Sequence, residues 1–243
     1  MERIGRVKVY QKGPSDLVTE ADLASQDAIR RILLEAFPDH AVLGEEDDPR
    51  TPAHHDPPEF RWLVDPLDGT INYVHQVPHY SVSVALERAG ELLAATVYDP
   101  VSEECFTATG GGGAFLNGRK IRTSTVANLS EALAAVGFPP GVQEDSPDLK
   151  VFLKALPQCQ AIRRTGSAAL NLSYLAAGRF DLLWSLSTSI WDVAAGALLI
   201  REAGGVVTSP NGGDLVLNQG HLLAAANEPL FGQLSTLVAQ AGL

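Results

Sequence analysis

Hydrophobic residues recur with two different periods in the first half of the chain. Spacings of three and four predict a helix over residues 22–37, and Thr19 with Asp22 has the form of a capping box at its start. Alternation of apolar and polar residues predicts strands further along. These predicted segments are the strands 61–64, 81–86 and 92–97 and a glycine-rich hairpin over 110–118.

The second half alternates between helical and strand patterns. The predicted helices are 146–156, 166–177, 193–204 and 230–241, and the predicted strands are 180–184, 205–208 and 222–226. This mixture is typical of an α+β fold with mixed α/β layers. No fixed repeat or long linker separates a first half of about 1–130 from a second half of about 131–243, so we expect a single domain over 1–243.

Composition narrows the classes of function. A chain of 243 residues that is 45% hydrophobic and 19% charged can bury a large core. Its net charge of −11 disfavours direct binding to nucleic acid or to anionic lipid. The sequence has neither an apolar run of the roughly 20 residues that a membrane span needs nor the apolar core of a signal peptide. We therefore expect a cytoplasmic protein with a small partner and no membrane contact.

The stretch Trp-Leu-Val-Asp-Pro-Leu-Asp-Gly-Thr at residues 62–70 carries the most chemistry. An apolar strand there ends at Asp65, and Pro66 restricts the turn that follows. The carboxylates of Asp65 and Asp68 and the carbonyl of Leu67 can converge on a hard cation such as Mg²⁺. Taken alone, the motif is also typical of an Asx-type turn that closes a strand.

Other element ends extend this candidate site. Gly69 and Thr70 can open a helix or turn whose backbone amides hold a phosphate. Glu45 follows a predicted strand, and Asp192 precedes a predicted apolar helix. As isolated features, these two acids are also typical of a solvated carboxylate and of a helix cap.

Taken together, the motifs resemble the inositol monophosphatase family. They extend over nearly the whole chain: Asp-Leu-Val-Thr at 16–19 with Asp22, Gly-Glu-Glu at 44–46, Asp-Pro-Leu-Asp-Gly-Thr at 65–70, Gly-Ser-Ala-Ala-Leu-Asn at 166–171, Trp-Asp at 191–192 and Glu-Ala-Gly-Gly at 202–205. The resemblance is to bacterial members of this lithium-sensitive, Mg²⁺-dependent phosphatase superfamily. It implies the layered αβαβα sandwich that the family shares with fructose-1,6-bisphosphatase.

The resemblance also implies roles for individual residues. Two to three Mg²⁺ ions would be held by Glu45, Asp65, the Leu67 carbonyl, Asp68 and Asp192. The catalytic group would be Glu45, Asp22 and Thr70, with the last two paired near the attacking water. Substrate contacts would come from Asp68, Gly69, Thr70, Gly166, Ser167, Ala168 and Ser185. The family also implies a homodimer.

The expected function is hydrolysis of a small phosphorylated metabolite by metal-activated water. The resemblance favours inositol 1-phosphate or a related sugar phosphate, with turnover sensitive to lithium. Ser185 stands where vertebrate-type members carry a glutamate that receives an inositol hydroxyl. Fructose 1,6-bisphosphate, histidinol phosphate and 3′-phosphoadenosine 5′-phosphate therefore stay open as substrates. The alternative from another class is a regulatory protein that keeps the fold and acts through macromolecular contacts.

Several other patterns are assigned to structure or surface. The glycines at 110–113 lack the Gly-Lys-Ser/Thr end of a P-loop. The adjacent histidines at 54–55, in a proline-rich loop, are poorly placed to share one metal ion. The arginine pair at 163–164 is assigned a structural or solvent-facing position rather than a role as a phosphate clamp. Ser167 has no histidine and aspartate support for a role as nucleophile.

Overall fold

The computed structural model describes residues 5, 7–13, 16–47, 59–138 and 141–243. The helices in these ranges are α1 (Glu20–Ala36), α2 (Thr70–Val74), α3 (Pro147–Ala155), α4 (Ala168–Ala176), α5 (Ile190–Glu202) and α6 (Glu228–Gln240). The strands are β1 (Val9–Gly13), β2 (Asp16–Thr19), β3 (Ala41–Gly44), β4 (Phe60–Asp68), β5 (Ser81–Arg88), β6 (Glu91–Asp99), β7 (Glu104–Thr109), β8 (Gly113–Leu116), β9 (Arg119–Lys120), β10 (Leu133–Val136), β11 (Ala161–Arg163), β12 (Leu182–Ser185), β13 (Val206–Thr208) and β14 (Leu222–Ala225).

Two sheets organise these elements. The larger sheet has the order β3-β4-β5-β6-β7-β8-β9, and all its pairs are antiparallel except the parallel pair β3–β4. The smaller sheet has the order β11-β10-β12-β14-β13, with parallel pairs on both sides of β10. A separate antiparallel hairpin of β1 and β2 leads into α1.

The helices form three layers around these sheets. α4 and α5 pack on each other between the larger sheet and the smaller one. α1 lies on the outer face of the larger sheet against β3 and β4, and α6, with α3 beside it, lies on the outer face of the smaller sheet. The resulting order is α, β, α, β, α, which confirms the predicted α+β class and the layered sandwich.

Packing explains why α5 is apolar on every side. Its residues from Val193 to Ile200 are buried because both sheets and α4 surround them. Gly196 allows the closest approach, since a Cβ there would lie 2.3 Å from the Cβ of Leu172 on α4. The middle layer is therefore held tightly between the sheets.

Several predicted boundaries are wrong. α5 begins at Ile190 rather than 193, α4 begins at Ala168 rather than 166, and the strand expected to end at Asp65 continues to Asp68. The sequence pattern also missed β10 and β11. β10 reads Leu-Ala-Ala-Val and is buried on both faces, so it has no alternation to detect.

The outward face of α1 was not expected. The predicted helix and its capping box are confirmed, but its buried residues are the polar Asp22 and Gln26. Leu23 and Ile32, from the apolar stripe, are 42% and 57% exposed. The polar side of α1 thus faces the protein, where Gln26 accepts the amide hydrogen of Glu46 at 3.0 Å.

Within the described part of the chain, no helix is both long and apolar enough to cross a membrane.

Candidate active site

A cavity of about 470 Å³ lies where elements from both halves of the chain meet. Its volume is in the range of ordinary small-molecule sites. The predicted site residues that line it are Glu45, Asp65, Leu67, Asp68, Gly69, Thr70, Gly166, Ser167, Ala168 and Asp192. Asp22 and Ser185 do not line it.

A β-bulge explains how two aspartates three residues apart face the same cavity. In a regular strand, residues at an odd spacing point to opposite faces. Here Asp65 pairs with Ser83 and Asp68 pairs with Ser81, so the two intervening residues of β4 oppose only one residue of β5, and β4 carries one extra residue. Because Ser81 and Ser83 are on one face of β5, the bulge turns both carboxylates to that face. Pro66 fits within the bulge, where the regular ladder is interrupted.

Asp68 is held by four hydrogen-bond donors. Ser81 Oγ donates to its Oδ2 at 2.9 Å, and the hydroxyl of Ser167 donates to the same oxygen. The amides of Ala168 and Ala169, at the start of α4, donate at 2.8 and 3.1 Å. Burial raises the pKa of Asp68, and these hydrogen bonds act in the opposite direction. The carboxylate therefore has a fixed orientation between β4 and α4.

Asp65 is buried among other acids. Burial raises its pKa well above the usual range, and the nearby charges of Glu45, Asp68 and Asp192 raise it further. Its Oδ1 accepts the amide hydrogen of Leu67 at 3.0 Å, which is the Asx-type turn that the motif predicts. The turn is thus present at the same residue as the acidic cavity, so the two interpretations of this motif do not exclude each other.

Asp22 and Thr70 are in contact although 48 residues separate them. Thr70 Oγ1 lies 2.9 Å from Asp22 Oδ1 and 3.0 Å from the Leu67 carbonyl oxygen, and its single proton goes to one of these acceptors at a time. The other oxygen of Asp22 accepts from the amide and the hydroxyl of Thr19 in the capping box. Asp22 therefore lies behind Thr70 rather than in the cavity wall.

Asp192 is also placed by a capping box, at the start of α5. Ser189 is the N-cap, and its amide donates to Asp192 Oδ2 at 2.8 Å. The structural alternative, in which Asp192 is the N-cap of the helix, is wrong, because Asp192 is the third residue of α5 and belongs to the capping box of Ser189. Its position in the first turn is favourable for a carboxylate.

The chain matches a known family over almost its whole length. A model described as the inositol monophosphatase family matches residues 2–242. The chain belongs to the inositol monophosphatase family. It is therefore a phosphomonoesterase, and the family implies a small phosphorylated substrate.

Individual relatives carry two kinds of name. "Nus factor SuhB" of Pseudomonas aeruginosa is 43% identical over 98% of this chain and 88% of its own. "Inositol-1-monophosphatase" of Rhizobium meliloti is 43% identical over 90% of this chain and 82% of its own. The crystal structure of the extragenic suppressor protein suhB from Bartonella henselae is 37% identical, with a TM-score of 0.89 over 98% of this chain and 90% of that one.

The donor chemistry of this inositol monophosphatase site fits Mg²⁺. In the ranges that the structure describes, no three Asp, Glu, His or Cys side chains form a ready-made metal cage. Instead, four carboxylates and the Leu67 residue line one cavity, and Asp65 and Asp68 each accept hydrogen bonds from the protein. Oxygen donors of this kind suit Mg²⁺, and a cation would relieve the repulsion that raises the pKa of Asp65.

Glycines let the cavity floor pack closely. Gly69 has a φ of 95°, and a Cβ there would lie 3.1 Å from the carbonyl oxygen of His79. Gly166 has a φ of 89°, and its Cβ would lie 2.9 Å from the side-chain nitrogen of Asn72. A side chain at either position would be strained in this conformation.

Ser185 lies behind the cavity wall. It is buried on β12, and its Oγ donates to Thr188 Oγ1 at 3.1 Å. Thr188 lines the cavity instead and donates to the carbonyl of Gly220 at 2.6 Å. Sequence reasoning did not select Thr188, since nothing in a single sequence indicates which residue of this loop turns inward.

Two further residues support the site and were not predicted. Ser81 is a donor to Asp68, and Asn72 donates to the carbonyls of His79 and Thr165 at 2.7 and 2.9 Å. The alternation of β5 places Ser81 on a buried face, but its partner depends on the bulge register.

The histidines at 54–55 lie outside the described residues.

Proposed function

We propose that this enzyme hydrolyses a small phosphorylated metabolite, inositol 1-phosphate or a related sugar phosphate, in a Mg²⁺-dependent reaction. The β4 bulge carries the proposal, because it turns Asp65 and Asp68 into the cavity that Glu45 and Asp192 also line. Four acids from three separate segments, in one partly closed cavity, are unfavourable without cations. A phosphate ester with bound metal ions supplies both the cations and the anion that such a site accommodates.

The residues that would hold two to three Mg²⁺ ions are Glu45, Asp65, Asp68, Asp192 and the Leu67 carbonyl. When bound, Mg²⁺ lowers the pKa of a water molecule and stabilises negative charge on the leaving oxygen. Asp68 would contribute a ligand of fixed orientation, because four donors already hold it. Such positioning supplies much of the catalysis in phosphoryl transfer.

Thr70 and Asp22 would orient the attacking water and remove its proton. Thr70 Oγ1 can accept a hydrogen bond from the water while it donates its own proton to Asp22. Asp22 keeps its position because Thr19 binds its second carboxylate oxygen. The backbone of Gly69 and Thr70, at the start of α2, would face the phosphate. Residues 166–168 would lie nearer the alcohol part of the substrate, and Ser185 would act only through the lining residue Thr188.

The decisive experiment measures Mg²⁺-dependent phosphate release. The substrates are inositol 1-phosphate, fructose 1,6-bisphosphate, histidinol phosphate and 3′-phosphoadenosine 5′-phosphate, each tested with the native enzyme and with Asp65→Asn. We expect release from at least one substrate, and we expect both chelator and Asp65→Asn to abolish it. Turnover that persists in excess chelator would exclude the metal-dependent mechanism.

Lithium gives a second test of the same site. We propose that Li⁺ lowers turnover by replacing a weakly held Mg²⁺ ion, and that the loss is reversed by added Mg²⁺. A rate that is unchanged in millimolar Li⁺ would contradict this.

A regulatory role is the second candidate, and the names of the SuhB relatives favour it. Such a role depends on the outer surface rather than on the carboxylates. Asp65→Asn therefore separates the two functions, since it would abolish turnover and leave a regulatory contact intact.

We further propose that the chain forms one domain and a homodimer in the cytoplasm. A single core cluster that joins Leu63 and Val97 of the first half to Leu170 and Leu199 of the second supports the one-domain proposal. Light scattering at micromolar concentration tests the dimer, and one cooperative unfolding transition is expected for the domain.

A further inference from the structure

Arg164 is a cationic residue of the cavity that the proposed reaction does not use. It lines the same cavity as the four acids, and among the described residues it is the only Lys or Arg that does so. It is exposed, and no carboxylate of the described ranges forms an ion pair with it. Arg163, its neighbour on β11, does not line the cavity, and its Nη1 donates to the carbonyl of Ile162 at 3.2 Å.

Two polar side chains of the cavity lining, Thr188 and Asn72, are already committed to the protein. Thr188 donates its only proton to Gly220 and accepts from Ser185. Asn72 uses its amide group for the carbonyls of His79 and Thr165. These hydroxyl and amide protons are therefore not available to a polyhydroxylated ring unless existing hydrogen bonds break.

The cavity lining also contains apolar side chains. These include Val136, Phe138 and Val142, and Val142 is 41% exposed. A wall of this kind favours a substrate with an apolar face. The guanidinium of Arg164 is the positively charged group of the described cavity lining, and it can recognise an anionic substituent.

We propose that Arg164 binds a second anionic group on the alcohol part of the substrate, so that this enzyme prefers phosphomonoesters that carry two anionic groups. The inference rests on the proposed function and selects among its candidate substrates. A planar guanidinium binds a phosphate through two parallel hydrogen bonds, which gives both charge and geometry. Bisphosphates meet this requirement, whereas inositol 1-phosphate has a single anionic group.

The test compares ligands that differ by one phosphate. Binding of adenosine 3′,5′-bisphosphate, adenosine 3′-monophosphate and adenosine 5′-monophosphate is measured by calorimetry, with Ca²⁺ in place of Mg²⁺ to slow turnover. The proteins are the native enzyme, Arg164→Ala, Arg164→Lys and the matched control Arg163→Ala.

We expect the native enzyme to bind the bisphosphate about 10- to 100-fold more tightly than either monophosphate. Arg164→Ala should remove this difference, Arg164→Lys should restore only part of it, and Arg163→Ala should leave it unchanged. In turnover assays the same preference should be seen in KM rather than kcat.

Three results would overturn the inference. They are equal affinity of the native enzyme for the bisphosphate and the monophosphates, a loss of preference in Arg163→Ala as large as in Arg164→Ala, and an equal loss of affinity for all three ligands in Arg164→Ala. The last result would place Arg164 on the reacting phosphate. The proposed function fails by a different result, which is the absence of metal-dependent phosphate release. The binding comparison does not require phosphate release, so the two failures can be told apart.

Discussion

Helices α1 and α5 each bring one aspartate towards the site from the same helical position, yet their surroundings are opposite. Asp22 and Asp192 are both the third residue of a helix and both belong to a capping box. α1 lies at the outside of the fold with Leu23 and Ile32 exposed, while α5 lies in the middle layer with Ile190 and residues 193–200 buried.

The comparison separates the orientation of a carboxylate from the positioning of the helix that carries it. A capping box orients a carboxylate through bonds within four residues, so it works in an exposed helix and in a buried one. Burial determines how firmly the whole helix is held, which depends on contacts from distant parts of the chain. Asp192 lines the cavity directly, while Asp22 lies behind Thr70 and is hydrogen-bonded to its hydroxyl.

The largest difference between the helices should be in catalysis. We expect Asp192→Asn to lower kcat by about 100- to 1,000-fold, because it removes the charge of a carboxylate that we propose as a Mg²⁺ ligand. Asp22→Asn should lower it less, since Asp22 does not line the cavity and we propose that it acts through the Thr70 hydroxyl. Steady-state kinetics at saturating Mg²⁺ measures both, and thermal unfolding of each variant serves as control. Equal losses would contradict the distinction.

The next difference is in packing. Gly196→Ala in α5 should destabilise the enzyme by about 1–3 kcal/mol, because its Cβ would overlap the Cβ of Leu172. Gly232→Ala in α6 is the matched control, since a Cβ there meets nothing within 4 Å. That variant should gain about 0.5–1 kcal/mol from helix propensity. Urea unfolding gives both values, and a stabilising Gly196→Ala would show that the middle layer is loosely packed.

Removal of either N-cap side chain should reduce stability by a similar amount. We expect Thr19→Ala and Ser189→Ala each to reduce the free energy of unfolding by about 1 kcal/mol. If the effect of a cap depends only on neighbouring residues, the burial of α5 will change this loss of stability little. A difference of several kcal/mol between the two variants would show that the surrounding structure, and not the cap, sets the cost.

The smallest effect is expected on the outer face of α1. Ile32→Gln should change stability by less than about 0.5 kcal/mol, because the side chain is 57% exposed. Leu199→Ala in α5 should instead cost about 2–5 kcal/mol. A loss above 1 kcal/mol for Ile32→Gln, or a change in oligomeric state, would mean that this face is covered in solution.

Much of the element order was predictable from the sequence. The long helices and the strands that alternate, such as β5, have periods that are visible in the residues themselves. β10 was missed because it is short and buried on both faces. The inward face of α1 was not predictable either, because its polar residues are buried against Glu46 and the site residue Thr70, which lie far along the chain.

For the site, the ordered motifs were sufficient to select residues but not to place them. Sequence by itself determined the family and the acidic segments, because motifs and caps depend on near neighbours. The bulge register that turns Asp65 and Asp68 to one face was decided only by pairing with β5. The tertiary structure also decided that Thr188, and not Ser185, lines the cavity. Both depend on contacts between distant segments, and only the packed tertiary structure specifies those contacts.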